Sequence, residues 1–178
     1  MKKIFFAIVM ALCAMGVQAQ HASDVSVWSE NDNAAHSGVF TNVILGAYTG
    51  DIETGAGLGL DLGYRYHIIS GLHWNILTVG TNFAWNNDEY DGGDFLNVRF
   101  KSGAHYITPE ILGSKRMYVD FNLGYSVNTK YSELNGFTYD VGLGVNLSRL
   151  FSLGITWDAI SKDSATWGII GAKFGFNF

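Results

Sequence analysis

Residues 116–127 read Arg-Met-Tyr-Val-Asp-Phe-Asn-Leu-Gly-Tyr-Ser-Val, a strict two-residue alternation. Met117, Val119, Phe121, Leu123, Tyr125 and Val127 fall on one parity, and Arg116, Tyr118, Asp120, Asn122, Gly124 and Ser126 on the other. A period of two sends the two sets to opposite faces of a β-strand. The pattern recurs along most of the chain, so helices are not its building blocks. Each strand must bury or cover one apolar face.

Eight segments carry the signature, at 39–48, 56–67, 72–86, 95–107, 116–127, 136–147, 151–160 and 166–178. The second sets Leu58, Leu60, Leu62, Tyr64 and Tyr66 against Gly57, Gly59, Asp61, Gly63, Arg65 and His67. In the third the parity is least distinct; Leu77, Val79, Thr81, Phe83 and Trp85 form its expected outer set. The sixth sets Phe137, Tyr139, Val141, Leu143, Val145 and Leu147 against Thr138, Asp140, Gly142, Gly144 and Asn146. The seventh alternates Phe151, Leu153, Ile155 and Trp157 with Ser152, Gly154, Thr156 and Asp158. Strands of about ten residues, even in number and joined by short turns, predict an all-β, single, eight-stranded antiparallel up-and-down transmembrane barrel.

Two barrels share this alternation. A water-soluble carrier of the lipocalin kind turns the apolar set inward around a ligand, whereas a membrane barrel turns it toward lipid. Composition separates them. The polar set here is mainly Gly, Asn and Ser with isolated charges of mixed sign, unlike a Lys- and Glu-rich surface. Asp61, Arg65, Arg99, Lys101, Arg116, Asp120, Asp140, Asp158 and Lys173 are therefore expected inside the barrel, paired with one another. Inward glycines leave room for their long side chains. Tyr64, Tyr66, Tyr106, Tyr125, Tyr139 and Trp157 are the expected aromatic girdle.

The N-terminus reads as a cleaved secretory signal over 1–19: Lys2 and Lys3, an apolar run from Ile4 to Met15, then small residues around Val17 and Ala19. That run is too short to span a bilayer as a helix. The sole cysteine, Cys13, lies inside the signal, so the mature chain has no thiol for a disulfide, a thiolate metal site or a nucleophile. Cleavage lowers Lys+Arg from 11 to 9 against an Asp+Glu of 16, for a net charge of −7. That balance argues against a nucleic-acid partner, which would want a basic face. Residues 20–37 form a polar leader, and 38–178 the barrel.

The strands Asn122-Leu-Gly-Tyr125 and Val141-Gly-Leu-Gly-Val145, with the terminal Phe174, Phe176 and Phe178 on one face, resemble the small eight-stranded outer-membrane barrels of the OmpA/OmpX type and porin-like barrel domains. The resemblance covers 38–178. It implies a cell outer-membrane location, recognition of the C-terminal phenylalanines by the barrel assembly machinery, contact with outer-membrane lipid and lipopolysaccharide, and a monomer. It also implies a structural or surface-interaction role, with a narrow channel as the alternative. The predicted outer loops are shorter than those of OmpX-like members, which speaks against a protruding adhesive sheet.

Other chemistry finds little support. Lipid A-modifying barrels use a His with a Ser and an acid, but His67, His73 and His105 lie in no His-x-Ser arrangement, so no enzyme is expected. The acidic loop from Asn87 to Asp94 offers oxygen ligands, yet its twelfth position is Val98, which breaks the EF-hand template. No cofactor and no metal are expected, and a solvated hairpin is the simpler reading of that loop.

Overall fold

The computed structural model describes residues 37–50, 55–69, 71–87, 93–109 and 116–178. Eight strands follow in sequence: β1 Gly38–Gly50, β2 Ala56–Ile69, β3 Leu72–Asn87, β4 Gly93–Ile107, β5 Arg116–Asn128, β6 Gly136–Asn146, β7 Phe151–Lys162 and β8 Ala165–Asn177. Each pairs antiparallel with its neighbours, and β1 pairs with β8 to close the barrel. Closure removes every free sheet edge, so each strand finds backbone partners on both sides within the wall. The chain is therefore the eight-stranded up-and-down barrel that the alternation predicts. The expected signal, the leader up to residue 36, and residues 88–92 of the acidic loop lie outside the described residues.

The turns are short. Gly71 takes a φ of 77° in the reversal from β2 to β3, where a side chain would be strained. Asp163 takes a φ of 54° between β7 and β8, a conformation that Asp tolerates better than most residues. One turn of 3-10 helix, Ser132–Leu134, interrupts the connection from β5 to β6.

The outer wall is apolar. Leu45, Val79, Phe100, Phe121, Leu143, Ile155 and Ile170 are all exposed on it, Ile155 to 65 %. A water-facing wall of this kind would be an aggregation surface; facing acyl chains, it is the expected band of a membrane barrel. The indistinct parity of the third strand has a structural cause. A β-bulge between Asn75 and Thr78 turns Ile76 and Leu77 outward in succession, so the alternation changes phase there. Ser102 of β4 caps the irregularity: its hydroxyl donates to the Asn75 carbonyl (2.9 Å) and accepts from Trp74 Nε1 (2.9 Å). Beyond the bulge, Leu77, Val79, Thr81, Phe83 and Trp85 share the outer parity.

Candidate functional site

Among the described residues, buried polar and charged side chains concentrate in the lumen. A barrel of eight strands leaves an interior just wide enough for side chains, and three tiers fill it. For orientation, Gly38 and Phe178 mark the terminal end, since Phe178 N–H donates to the Val39 carbonyl (2.8 Å).

The middle tier is ionic. Arg99 on β4 donates through Nη2 to Asp61 Oδ1 (2.9 Å) on β2 and through Nη1 to Asp158 on β7. Lys101 Nζ bridges three carboxylates: Asp140 Oδ2 (2.6 Å), Asp158 Oδ2 (3.0 Å) and Asp61 Oδ2 (3.3 Å). Asp140 and Asp158 are direct cross-strand partners of β6 and β7. Like charges in that position repel; Lys101, reaching across the lumen, is what makes the pair tolerable. On the other side Lys173 of β8 holds Asp120 of β5, and Arg65 Nη2 approaches Asp120 Oδ1 at 3.9 Å.

Asparagines join these groups into one network. Arg65 donates to Asn75 Oδ1 (3.0 Å) and Asn177 Oδ1 (3.1 Å); Asn75 Nδ2 donates to Asn122 Oδ1 (2.8 Å); Asn122 Nδ2 donates to Asp140 Oδ1 (2.8 Å). Every link is charge-assisted or amide to amide, and the low dielectric inside strengthens each one provided it is satisfied. Four cations, Arg65, Arg99, Lys101 and Lys173, thus meet four carboxylates, Asp61, Asp120, Asp140 and Asp158. Arg116 keeps the inward parity but sits half-buried at the rim, as the first residue of β5 opposite Asn146.

Glycine positions make room for this packing. A Cβ on Gly80 would lie 2.0 Å from Asp61 Oδ1, and one on Gly144 would lie 2.6 Å from the Tyr118 ring. At the terminal end Tyr118 stacks on His105 (5.3 Å), and the Arg65 guanidinium covers the Phe40 ring (4.5 Å).

The tier at the opposite end is apolar, which the sequence reading did not foresee. Ile44, Tyr48, Ala84, Ile160, Trp167 and Ile169 point inward and pack with Leu134, which the 3-10 turn inserts from above. Ile160 and Ile169 are fully buried. The signal was present: Ile160 and Trp167 hold the inward parity of their strands. It passed unnoticed because an apolar residue on a polar parity reads as noise in a single sequence.

The outward aromatic residues fall into two groups. Tyr64, Tyr66 and Tyr106 lie toward the terminal end. Tyr125, Tyr139 and Trp157 lie toward the other, where Tyr139 and Trp157 meet edge to face at 5.6 Å. Phe174, Phe176 and Phe178 share the outer face of β8 and the chain end, with Phe176 packed on Phe151 at 5.5 Å. As for acid–base chemistry, His105 Nδ1 pairs with Asp120, and no serine hydroxyl is bonded to a histidine ring among the described residues.

No family model and no curated protein sequence matches the chain. Solved structures do. Neisserial surface protein A (NspA) aligns with a TM-score of 0.56 at 14 % identity, over 80 % of this chain and 97 % of that one. Ail, the attachment invasion locus protein of Yersinia pestis, aligns with a TM-score of 0.51 at 17 % identity, over 80 % and 97 %. A de novo designed transmembrane β-barrel aligns with a TM-score of 0.50 at 16 % identity, over 79 % and 95 %. At such identities the likeness is one of fold: that of the small transmembrane barrels of the outer membrane.

Proposed function

We propose that the chain is a non-enzymatic barrel of the outer membrane, with a structural or surface-interaction role and a lumen closed to solutes. One observation carries this reading: Arg99 and Asp158, in the middle of the interior, have no solvent exposure at all. A water-filled passage would wet them. The apolar tier above them adds a second closure, which hydrated ions would cross only by losing water.

The surface-interaction part is supported by the fold shared with a surface protein and an attachment invasion locus protein. Under this reading the terminal end faces the periplasm, the Phe174–Phe176–Phe178 face is what the assembly machinery recognises, and the barrel works as a monomer among outer-membrane lipid and lipopolysaccharide.

The test begins with the mature protein folded in detergent, run on a gel with and without boiling, and then fused into planar bilayers. A heat-modifiable band and a flat current baseline are expected. Discrete conductance steps would replace this reading with that of a narrow channel, and altered lipid A in cells expressing the protein would replace it with that of an enzyme.

A further inference from the structure

The outer wall is not uniform. Over strands β5 to β8, near the terminal end, it dips into an apolar hollow of about 450 Å3. Two outward cross-strand rows border it: Met117, Val145 and Leu153 below, Leu143, Ile155 and Ala172 above. Between the rows Gly144 and Gly154 are direct partners, so the floor is bare backbone, and the Tyr118 ring closes it from the lumen side. Ala172 is the small member of an outer set that otherwise holds Ile170, Phe174 and Phe176. The upper row therefore runs low at β8, before Leu45 of β1 resumes it.

Two arginines stand at the lower end of this hollow. Arg116 directly precedes Met117 and faces Asn146, the residue after Val145. Arg149 lies in the reversal from β6 to β7, where the N–H groups of Leu147 and Ser148 donate to the Phe151 carbonyl (3.0 and 3.1 Å). Both arginines are half-buried, and the leucines around Arg149, Leu147 and Leu150, are exposed. Among the described residues of this rim there is no Asp or Glu, whereas the far rim carries Glu133 and Asp163. The depths also match those of a lipid. The headgroup zone of one leaflet is about 5–8 Å deep, half the difference between a whole bilayer and its hydrocarbon core. From the arginines to the two rows is one to three residues of strand, at about 3.3 Å each.

We infer that the hollow and the two arginines form a binding site for one anionic glycerophospholipid. Its phosphate sits at Arg116 and Arg149, and an acyl chain lies over the Gly144–Gly154 floor. Guanidinium groups suit phosphate oxygens, which they meet through paired N–H donors. A zwitterionic lipid offers the same phosphate but brings an ammonium toward two cations, so a head group of net negative charge is preferred. The inference rests on the membrane-barrel reading above.

In the experiment, detergent-folded protein takes up phosphatidylglycerol or phosphatidylcholine of the same acyl chains, and native mass spectrometry counts the lipid retained. One phosphatidylglycerol per barrel is expected, held about tenfold better than phosphatidylcholine, since each arginine near a head group gives a severalfold preference. Arg116→Gln/Arg149→Gln should abolish the preference, and Ala172→Phe, which fills the hollow from outside, should lower retention of both lipids. Equal retention of the two lipids by the parent, or a preference that survives in the double variant, would overturn the inference. So would a lipid-free dimer that Ala172→Phe dissociates, which would assign the hollow to a second copy. Should the double variant fail to fold, the parent decides: high salt must erase its preference, because exposed charges are screened. Heat-modifiable mobility is read on every sample. Its absence in the parent defeats the barrel reading itself, whereas its presence without a lipid preference defeats only this site.

Discussion

The middle of the lumen and its far end fill the same narrow space with opposite chemistry. In the middle, Arg99 and Lys101 hold Asp61, Asp140 and Asp158; at the far end, Ile44, Ile160, Trp167 and Ile169 close around Leu134. Buried ions are costly to desolvate and recover that cost only through near-complete pairing. An apolar cluster needs no such matching and tolerates imperfect fit in proportion to the cavity left. The ionic tier should therefore be brittle and the apolar tier graded.

That contrast can be broken most forcefully at Arg99. Arg99→Met strips Asp61 and Asp158 of their guanidinium and should cost about 3–5 kcal/mol, because three buried carboxylates are then left to Lys101 alone. Denaturant unfolding in lipid vesicles, followed by gel mobility, reads it. Adding Asp158→Leu should recover part of the loss. If the double variant is worse than the single one, unpaired charge is not what makes the ionic tier brittle.

Ile160→Ala tests the other tier. A loss of about 3 kcal/mol is expected from the lost burial and the cavity, within the usual range for such truncations. Unlike Arg99→Met, this loss should be largely restored by Ile160→Leu, since apolar packing is tolerant of shape. Failure of that rescue would mean the far end is as exacting as the middle.

The smallest effect should come from the link between the ionic groups. Asn122→Ala leaves Asn75 Nδ2 and Asp140 Oδ1 without their amide partner and should cost about 1–3 kcal/mol. A double-mutant cycle of Asn122→Ala with Arg65→Gln should show coupling above the scatter expected of distant sites. Simple additivity would show that the asparagines are neighbours of the network and not members of it.

Much of the barrel was legible from one chain because strand alternation is local. Strand β5, expected at 116–127, spans Arg116–Asn128, and β2, expected at 56–67, spans Ala56–Ile69. The parity that assigned Leu77 and Val79 to the outer wall survives the bulge, since the extra residue is taken up at Ile76 and Leu77 keeps the phase of the strand that follows. The charges expected inside share the parity of glycine, asparagine and serine, which is a property of each strand read alone.

Who meets whom was not readable. Lys101 reaches Asp158 and Asp140 across the lumen, a contact between residues more than 38 positions apart that depends on register and closure. The place of Asn75 depended on a bulge that no alternation announces. Sequence alone determined the strands, their faces and the side turned to lipid, because a period of two is a property of consecutive residues. Only the closed barrel decided the pairings and the apolar plug, because those depend on the shear that brings distant strands into register.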